Sequence, residues 1–329
     1  MILAIETSCD DTCAAIVETD GRRALSNVVH TQTEHDRYGG IVPEVASRAH
    51  LERIDGVIEE SLDAAGTDLA DVSRVAVTVR PGLIGALLVG VAVAKGVAYA
   101  RSLPLVPVNH LEGHVAAAYL AEPNLEPPFV ALIASGGHTA LYSVTADREM
   151  RLLGETLDDA AGEALDKGAR MLGLGFPGGP ALQRAAQGGS RERYDFPVAL
   201  KERDNLDFSF SGLKTSLLYK LKQLGEERSR EELPHLAASY EAAVVEALAR
   251  KLTRAADLHE APAVVVAGGV AANALLRRTL EKELARLGTK FVIPPPELCT
   301  DNAAMIGAAA PHTPAVAYPY YLSLNARSV

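Results

Sequence analysis

Apolar and polar positions alternate along this chain in blocks whose lengths predict its elements. Met1–Thr7 is an apolar run, Ser8–Asp11 a short polar turn and Thr12–Val17 a second apolar run, which predicts two strands around a tight loop. Pro43 opens a stretch in which Val45, Ala49, Ile54, Val57, Ile58 and Leu62 recur at helical spacing. Val75–Val79 reads as a strand that Pro81-Gly82 turns into an apolar helix, and Leu105–Val108 as a short strand leading into another. The opening pattern then returns. Val130–Ala134 is apolar, Ser135-Gly136-Gly137 is a turn, and Thr139–Val144 is apolar again. Residues 158–173 and 234–257 have helical periodicity. Ala263–Ala267 reads as a strand, broken by Gly268-Gly269 before a helix over about 272–287; Phe291–Ile293 is a last strand, and a short helix follows Asp301. Strands alternating with helices predict α/β layers, and two similar strand–turn–strand units suit a duplicated fold with a nucleotide between its halves. The stretch 187–233 is polar and weakly periodic, and reads as an insertion or flexible lobe.

Composition sharpens this picture in five places. A length of 329 residues suits two domains, and with no Trp and 5% aromatics the core must be built from Ala, Val, Ile and Leu. Residues 82–100 are nearly uncharged and about long enough to span a bilayer. Lys95 inside the run, at about 3 kcal/mol on insertion scales, and four glycines make it a buried helix instead. The N-terminus has no basic flank or small-residue cleavage site and does not read as a signal peptide. Cys9, Cys13 and Cys299 form no CxxC and are odd in number, which fits a reducing cytosol better than a disulfide framework. The formal net charge of −10 argues against broad attraction to nucleic acid. Arg191, Arg193, Lys201, Arg203, Lys214, Lys220 and Lys222 are nevertheless concentrated mid-chain, either as a local basic patch or as solvated faces.

The sharpest chemical signal is His110-Leu111-Glu112-Gly113-His114, where two imidazoles at i and i+4 share a helical face and can reach one metal ion. It is not the zinc-protease motif, because no Glu directly follows the first His. A third ligand must come from elsewhere. Asp301 is the candidate, although an Asp at a helix start is also an ordinary N-cap. In Ser135-Gly136-Gly137-His138-Thr139, paired glycines between strands let backbone N–H groups approach an anion, or form a plain hairpin turn. The matching loop Ser8–Thr12 is rich in carboxylates, which could orient a metal, a water or an amine. Gly268–Asn273 links strand to helix as nucleotide-holding turns do, with Asn273 able to bond a base or sugar. Gly173, Gly175 and Gly178 satisfy GxGxxG but follow a helix, so the dinucleotide reading fails its context; Asp158, Asp159, Glu163 and Asp166 nearby could line a polar site. Neither a Walker A sequence nor a GxSxG elbow is present.

These motifs, in this order, resemble the TsaD family of tRNA threonylcarbamoyltransferases, bacterial relatives of the KEOPS catalytic subunit. The matching pieces are IETSCDDT, YGGIVPEVASRAH, PGLIGALLVG, NHLEGH, SGGHT, LDDAAGEALDK, GFPGGP, FSFSGLKT, GGVAAN and CTDNAAMIG. The resemblance implies an α/β, duplicated actin/Hsp70/sugar-kinase-like (ASKHA) fold of two lobes, 1–113 plus 305–329 and 114–304, with a nucleotide and metal cleft between them. It implies one Fe2+ or Zn2+ ion held by His110, His114 and Asp301. It also implies that Ile133, Ala134, Ser135, Gly136, Gly137, Asp166, Gly179 and Asn273 contact L-threonylcarbamoyl-AMP, and that the acceptor is N6 of adenosine 37 in tRNA. Asp10, Asp11 or His138 would position the amine or relay its proton, Asp10 first. A TsaB-like paralogue, a TsaE-like ATPase and a TsaC-like enzyme making the intermediate would be the partners. Two departures stand out: Arg80 precedes Pro81-Gly82-Leu83 where the family reads GPGL, and Ala303 stands where Gly is usual.

Competing readings are a small-molecule kinase of the same fold, a metallopeptidase and a nucleotide-binding scaffold. A kinase would hold Mg2+ through carboxylates and water rather than two histidines. The peptidase lacks a glutamate placed as general base. The scaffold would not require the full metal set.

Overall fold

Two five-stranded sheets carry the chain, and their strand orders are copies of one another. The computed structural model describes residues 1–33, 35, 40–202 and 204–328; the motif residues Tyr38 and Gly39 and the basic Arg203 lie outside the described residues. The first sheet comprises β1 (Ile2–Glu6), β2 (Asp11–Val17), β3 (Ala24–Thr31), β4 (Arg74–Arg80) and β5 (Leu105–Asn109), in the order β3-β2-β1-β4-β5. The second comprises β6 (Phe129–Ala134), β7 (Thr139–Val144), β8 (Met150–Glu155), β9 (Ala263–Ala267) and β10 (Lys290–Val292), in the order β8-β7-β6-β9-β10. In each, an antiparallel meander of three strands is followed by two strands parallel to the first. This is the duplicated α/β topology of the actin/Hsp70/sugar-kinase-like class. The central strands are apolar on both faces, as sheets covered on both sides require.

The chain divides into two units. The first is Met1–Leu125 with Thr300–Val329; the second is Glu126–Cys299. Helices α3 (His110–Ala121) and α9 (Ala303–Ala309) each run unbroken within the first unit.

In the first unit, α1 (Pro43–Ala65) starts at its proline and ends at Gly66, whose φ of 63° forms a left-handed C-cap. Helix α2 (Ile84–Arg101) has the length and apolar composition of a membrane span, yet it buries Ala86, Leu87, Gly90, Val91, Ala94 and Ala98 in the unit's core. Its Lys95 ammonium donates to the carbonyls of Leu322 and Leu324. The C-terminal segment completes this unit, with Val316 bridging to Leu105 and Tyr321 fully buried.

In the second unit, α4 (Ala161–Met171), α5 (Gly178–Ala185), α6 (Ser211–Glu231), α7 (Leu233–Leu258) and α8 (Ala274–Leu287) surround the sheet. Within 187–233, Phe196, Val198, Phe208, Phe210, Leu213 and Leu217 are buried in this core. Only Leu213 and Leu217 of α6 are buried, too few to register as a helical period, and Gly225 interrupts the helix with a φ of 74°. Strands β3 and β8 escaped the sequence pattern for a related reason. They lie at sheet edges, half exposed, and carry mixed rather than continuous apolar runs.

Candidate functional site

In the first unit two chain segments deliver the predicted metal ligands to one place. Asn109, at the end of β5, caps α3 by accepting from the Leu111 N–H at 2.8 Å, so His110 starts the helix and His114 follows one turn on. Helix α9 packs directly on α3. A Cβ at Gly113 would stand 2.7 Å from Ile306 Cδ1, so a side chain here would require Ile306 to shift. Asn302 fills the N-cap of α9, its Oδ1 accepting from Met305 N–H at 3.0 Å. The cap role therefore does not fall to Asp301, whose Oδ1 lies 3.5 Å from His110 Nε2 and 3.3 Å from His114 Nε2. One ligand atom from each of the three residues lies within 4.8 Å of the others.

The donor set fits a metal ion on two further grounds. His114 is 1% exposed, and among the described residues its Nδ1 has no hydrogen-bond partner while its Nε2 meets only the Asp301 carboxylate, an arrangement that burial penalises unless something else coordinates the ring. Two imidazoles and one carboxylate are also the ligands that zinc and non-haem iron take. Burial alone would lower the His110 pKa, but the charges of Asp301 and Glu6 and the Glu6 hydrogen bond outweigh it and raise it to about 9. His114 is pushed down by burial and by neighbouring His110. One imidazole is thus charged and the other neutral at pH 7.

The Ser8–Thr12 turn stands beside this group. Ser8 carbonyl accepts from Leu83 N–H at 2.8 Å, so the Arg80-Pro81-Gly82-Leu83 departure still secures the turn. Buried His50 grips it from α1, with Nδ1 2.8 Å from Thr12 Oγ1 and Nε2 3.0 Å from the Cys9 carbonyl. Burial raises the Asp11 pKa to about 7, against a hydrogen bond from Thr31, with Asp10 and Asp301 pushing the same way as burial. Among the described residues, one Asp11 oxygen is buried without a hydrogen-bond partner. Ala303, the second departure, is buried in the first turn of α9 and touches no ligand role.

In the second unit the predicted nucleotide residues gather at the carboxyl ends of the parallel neighbours β6 and β9, where open α/β sheets hold ligands. Ile133 and Ala134 are buried at the end of β6, and Ser135–His138 forms the turn, with Gly136, Gly137 and His138 exposed. The start of α4 presses on this turn. Gly162 N–H donates to the Ser135 carbonyl at 3.1 Å, and a Cβ on Gly162 would lie 2.6 Å from that oxygen. Thr139 Oγ1 accepts from Ala161 N–H at 2.8 Å. Asp166 Oδ1 accepts from Gly178 N–H at 2.7 Å, placing Gly179 in the same corner; burial nonetheless raises the Asp166 pKa. Asn273 caps α8, its Oδ1 accepting from Leu276 N–H at 2.9 Å and its Nδ2 donating to Glu241 at 2.6 Å. Two surface cavities, of about 430 and 560 Å³, contain none of these residues.

Sequence reasoning missed Glu6, Thr78, His50, Glu241 and Gln183. Glu6 is fully buried at the end of β1, and the available signal was a carboxylate closing an otherwise apolar strand. Glu241 and Gln183 fix the Asn273 corner, the latter by accepting from Ala274 N–H at 2.8 Å. Their spacing in sequence carries no such signal.

Residues 23–308 match the family described as "TsaD: tRNA N6-adenosine threonylcarbamoyltransferase". The chain is 50% identical over 329 residues to the tRNA N6-adenosine threonylcarbamoyltransferase of Syntrophus aciditrophicus, covering 100% of this chain and 96% of that one. It is 51% identical over 313 residues to the protein of the same description from Moorella thermoacetica, covering 94% and 90%. Among solved structures it is similar in fold to HypF of T. kodakarensis (TM-score 0.62, 15% identity, 94% of this chain and 46% of that one). It is also similar to component A of the Acidaminococcus fermentans (R)-2-hydroxyglutaryl-CoA dehydratase (TM-score 0.55, 17% identity, 98% and 99%). With the match extending along nearly the whole chain and through each of the motifs that build these two sites, this chain belongs to the tRNA N6-adenosine threonylcarbamoyltransferase family.

Proposed function

We propose that this chain transfers the threonylcarbamoyl group of L-threonylcarbamoyl-AMP to N6 of adenosine 37 in tRNAs that read A-starting codons, releasing AMP. The observation that carries the reading is the His110–His114–Asp301 group, in a chain that matches the family over residues 23–308. Fe2+ is the ion assigned first and Zn2+ second, since two imidazoles and a carboxylate suit both. When bound, such an ion supplies Lewis-acid polarisation and an anchor for the donor.

In the reaction, N6 adds to the carbamoyl carbon, the bond from that carbon to the phosphate oxygen breaks, N6 gives up a proton and AMP leaves. The donor is a mixed anhydride with a good leaving group, so no enzyme nucleophile is needed. The obstacle is the weak nucleophilicity of an aromatic amine. Ile133–Gly137, with Asp166, Gly179 and Asn273, are assigned to the nucleotide. The N–H groups of Gly136 and Gly137 are assigned to the negative charge that develops as the anhydride opens. Asp10 is assigned first to position the amine. Asp11, with a pKa of about 7, is able to take its proton near neutrality, and the exposed His138 is assigned as a further relay.

A net charge of −10 leaves room for partners to supply basic surface toward tRNA. A TsaB-like paralogue, a TsaE-like ATPase and a TsaC-like source of the intermediate are the partners this reading calls for. Unpaired Cys9, Cys13 and Cys299 suit a reducing cytoplasm.

The test is to incubate the purified chain with threonylcarbamoyl-AMP, unmodified tRNA and these partners, then digest the tRNA and look for threonylcarbamoyladenosine by mass spectrometry. Product that disappears in the His110→Ala, His114→Ala double variant is the expected result. No product with any partner, despite bound metal and nucleotide, would transfer the weight to a kinase or scaffold.

A further inference from the structure

We infer that Glu6, outside the three-residue ligand group, is the carboxylate that holds His110 in its ligating orientation and balances the second charge of a divalent ion there. The inference rests on the metal reading of His110, His114 and Asp301.

Glu6 closes β1 and is fully buried. Both of its oxygens are engaged. Oε1 accepts from the Ser8 N–H; Oε2 accepts from the Thr78 hydroxyl and lies 3.1 Å from His110 Nδ1. An ionised carboxylate only accepts, so Nδ1 must carry the hydrogen of this bond, and Nε2 is left as the ligating atom. Nε2 is the nitrogen that faces Asp301, at 3.5 Å. The Ser8 hydroxyl stands 3.1 Å from the same Nδ1, a second polar contact behind the ring. Thr78 and Ser8 in turn hold the carboxylate, so ring, carboxylate and backbone form one connected chain.

His114 is the contrast. Its Nδ1 has no hydrogen-bond partner, and its ring meets that of His110 edge-on, with centroids 4.5 Å apart. One imidazole is therefore fixed by hydrogen bonds from behind, and the other by packing. A carboxylate behind a ligating histidine fixes its orientation and raises its basicity as a ligand. It also completes the charge count: a divalent ion, the Asp301 carboxylate and the Glu6 carboxylate sum to zero. That sum matters because Glu6 is 0% exposed, and charge left unbalanced in such a place is strongly unfavourable.

The experiment titrates Co2+ into the metal-stripped full chain and follows its visible absorption band. Glu6→Gln keeps the shape and removes the charge. It is expected to weaken Co2+ binding by about 10–100-fold and to shift the band. Thr78→Val keeps the charge and removes one donor that aims it, and is expected to weaken binding by a smaller factor. It serves as the test if Glu6→Gln does not fold. Unchanged Co2+ affinity and an unchanged band in the folded variant would overturn the role of Glu6. A wild-type chain that binds no Co2+ would instead overturn the metal reading on which it rests.

Discussion

The two units share one strand order and differ at the turn between the first two strands of each sheet. In the first unit that turn, Thr7–Asp10, is flanked by Glu6, Asp11, His50 and His110, all ionisable and mostly buried. In the second, Ser135–His138 offers glycines, and the nearest helix approaches so closely that Gly162 has no room for a side chain. The same backbone frame thus supports two kinds of recognition. On the proposed reading, side chains collect a cation in one copy, and main chain is left bare for a phosphorylated ligand in the other. Duplication supplies the frame, and the residue types at one turn decide its chemistry.

The comparison is broken most directly by removing the ligands of the first unit. The His110→Ala, His114→Ala double variant is expected to reduce metal content from about one ion per chain to background by elemental analysis, with AMP affinity changed less than about twofold by calorimetry. If AMP binding falls in parallel, the division of labour is wrong. The reciprocal variant is Gly162→Val, whose side chain collides with the Ser135 carbonyl. It is expected to weaken AMP binding by about tenfold or more, equal to roughly 1.4 kcal/mol, and to leave metal content intact.

Next in size is a pH effect confined to the first unit. In the metal-free protein the His110 pKa is raised to about 9, so an incoming ion must displace its Nε2 proton at pH 7. Metal affinity is expected to rise with pH up to about 9, by at most about tenfold per unit, with proton release visible in the buffer dependence of the binding enthalpy. The sign for folding is opposite. The raised pKa stabilises the metal-free fold fully below 6.5, and that contribution is lost as pH rises through about 9.

The smallest effect belongs to the second unit. Asp158 accepts from Ser209 Oγ, Phe210 N–H, Ser211 N–H and Ser211 Oγ, and so ties the start of α6 to the segment before α4. Burial would raise its pKa, but these hydrogen bonds outweigh burial and lower it. Its contribution is therefore present above about 3.8 and lost as pH falls through the lowered value. Asp158→Ala is expected to lower stability by about 1–2 kcal/mol in chemical denaturation at pH 7, with no change in metal content.

What could be read from the sequence follows the same physics. Strands β1, β2, β6, β7 and β9 are central and apolar on both faces, so their runs are continuous and legible. Edge strands β3 and β8 and helix α6, buried at only two positions, are governed by contacts that leave little period in the residues. The histidine pair was visible because i and i+4 share a helix face whatever the fold. Glu6 and Thr78 were not, because what joins them to His110 is adjacency of β1, β4 and β5 in the sheet, and no spacing in the chain encodes it. Asp301 was ambiguous until Asn302 proved to be the cap.

The first unit is closed by the last thirty residues of the chain, which bring Asp301 and α9 back to α3. On the ribosome this sets an order of events. His110 and His114 emerge first, and Asp301 follows on the order of 10–40 s later at 5–20 residues per second. The whole second unit is synthesised in that interval and can fold as one continuous piece. The nascent protein thus passes through a stage with a complete second unit and only His110 and His114 of the three grouped residues, Asp301 joining them last.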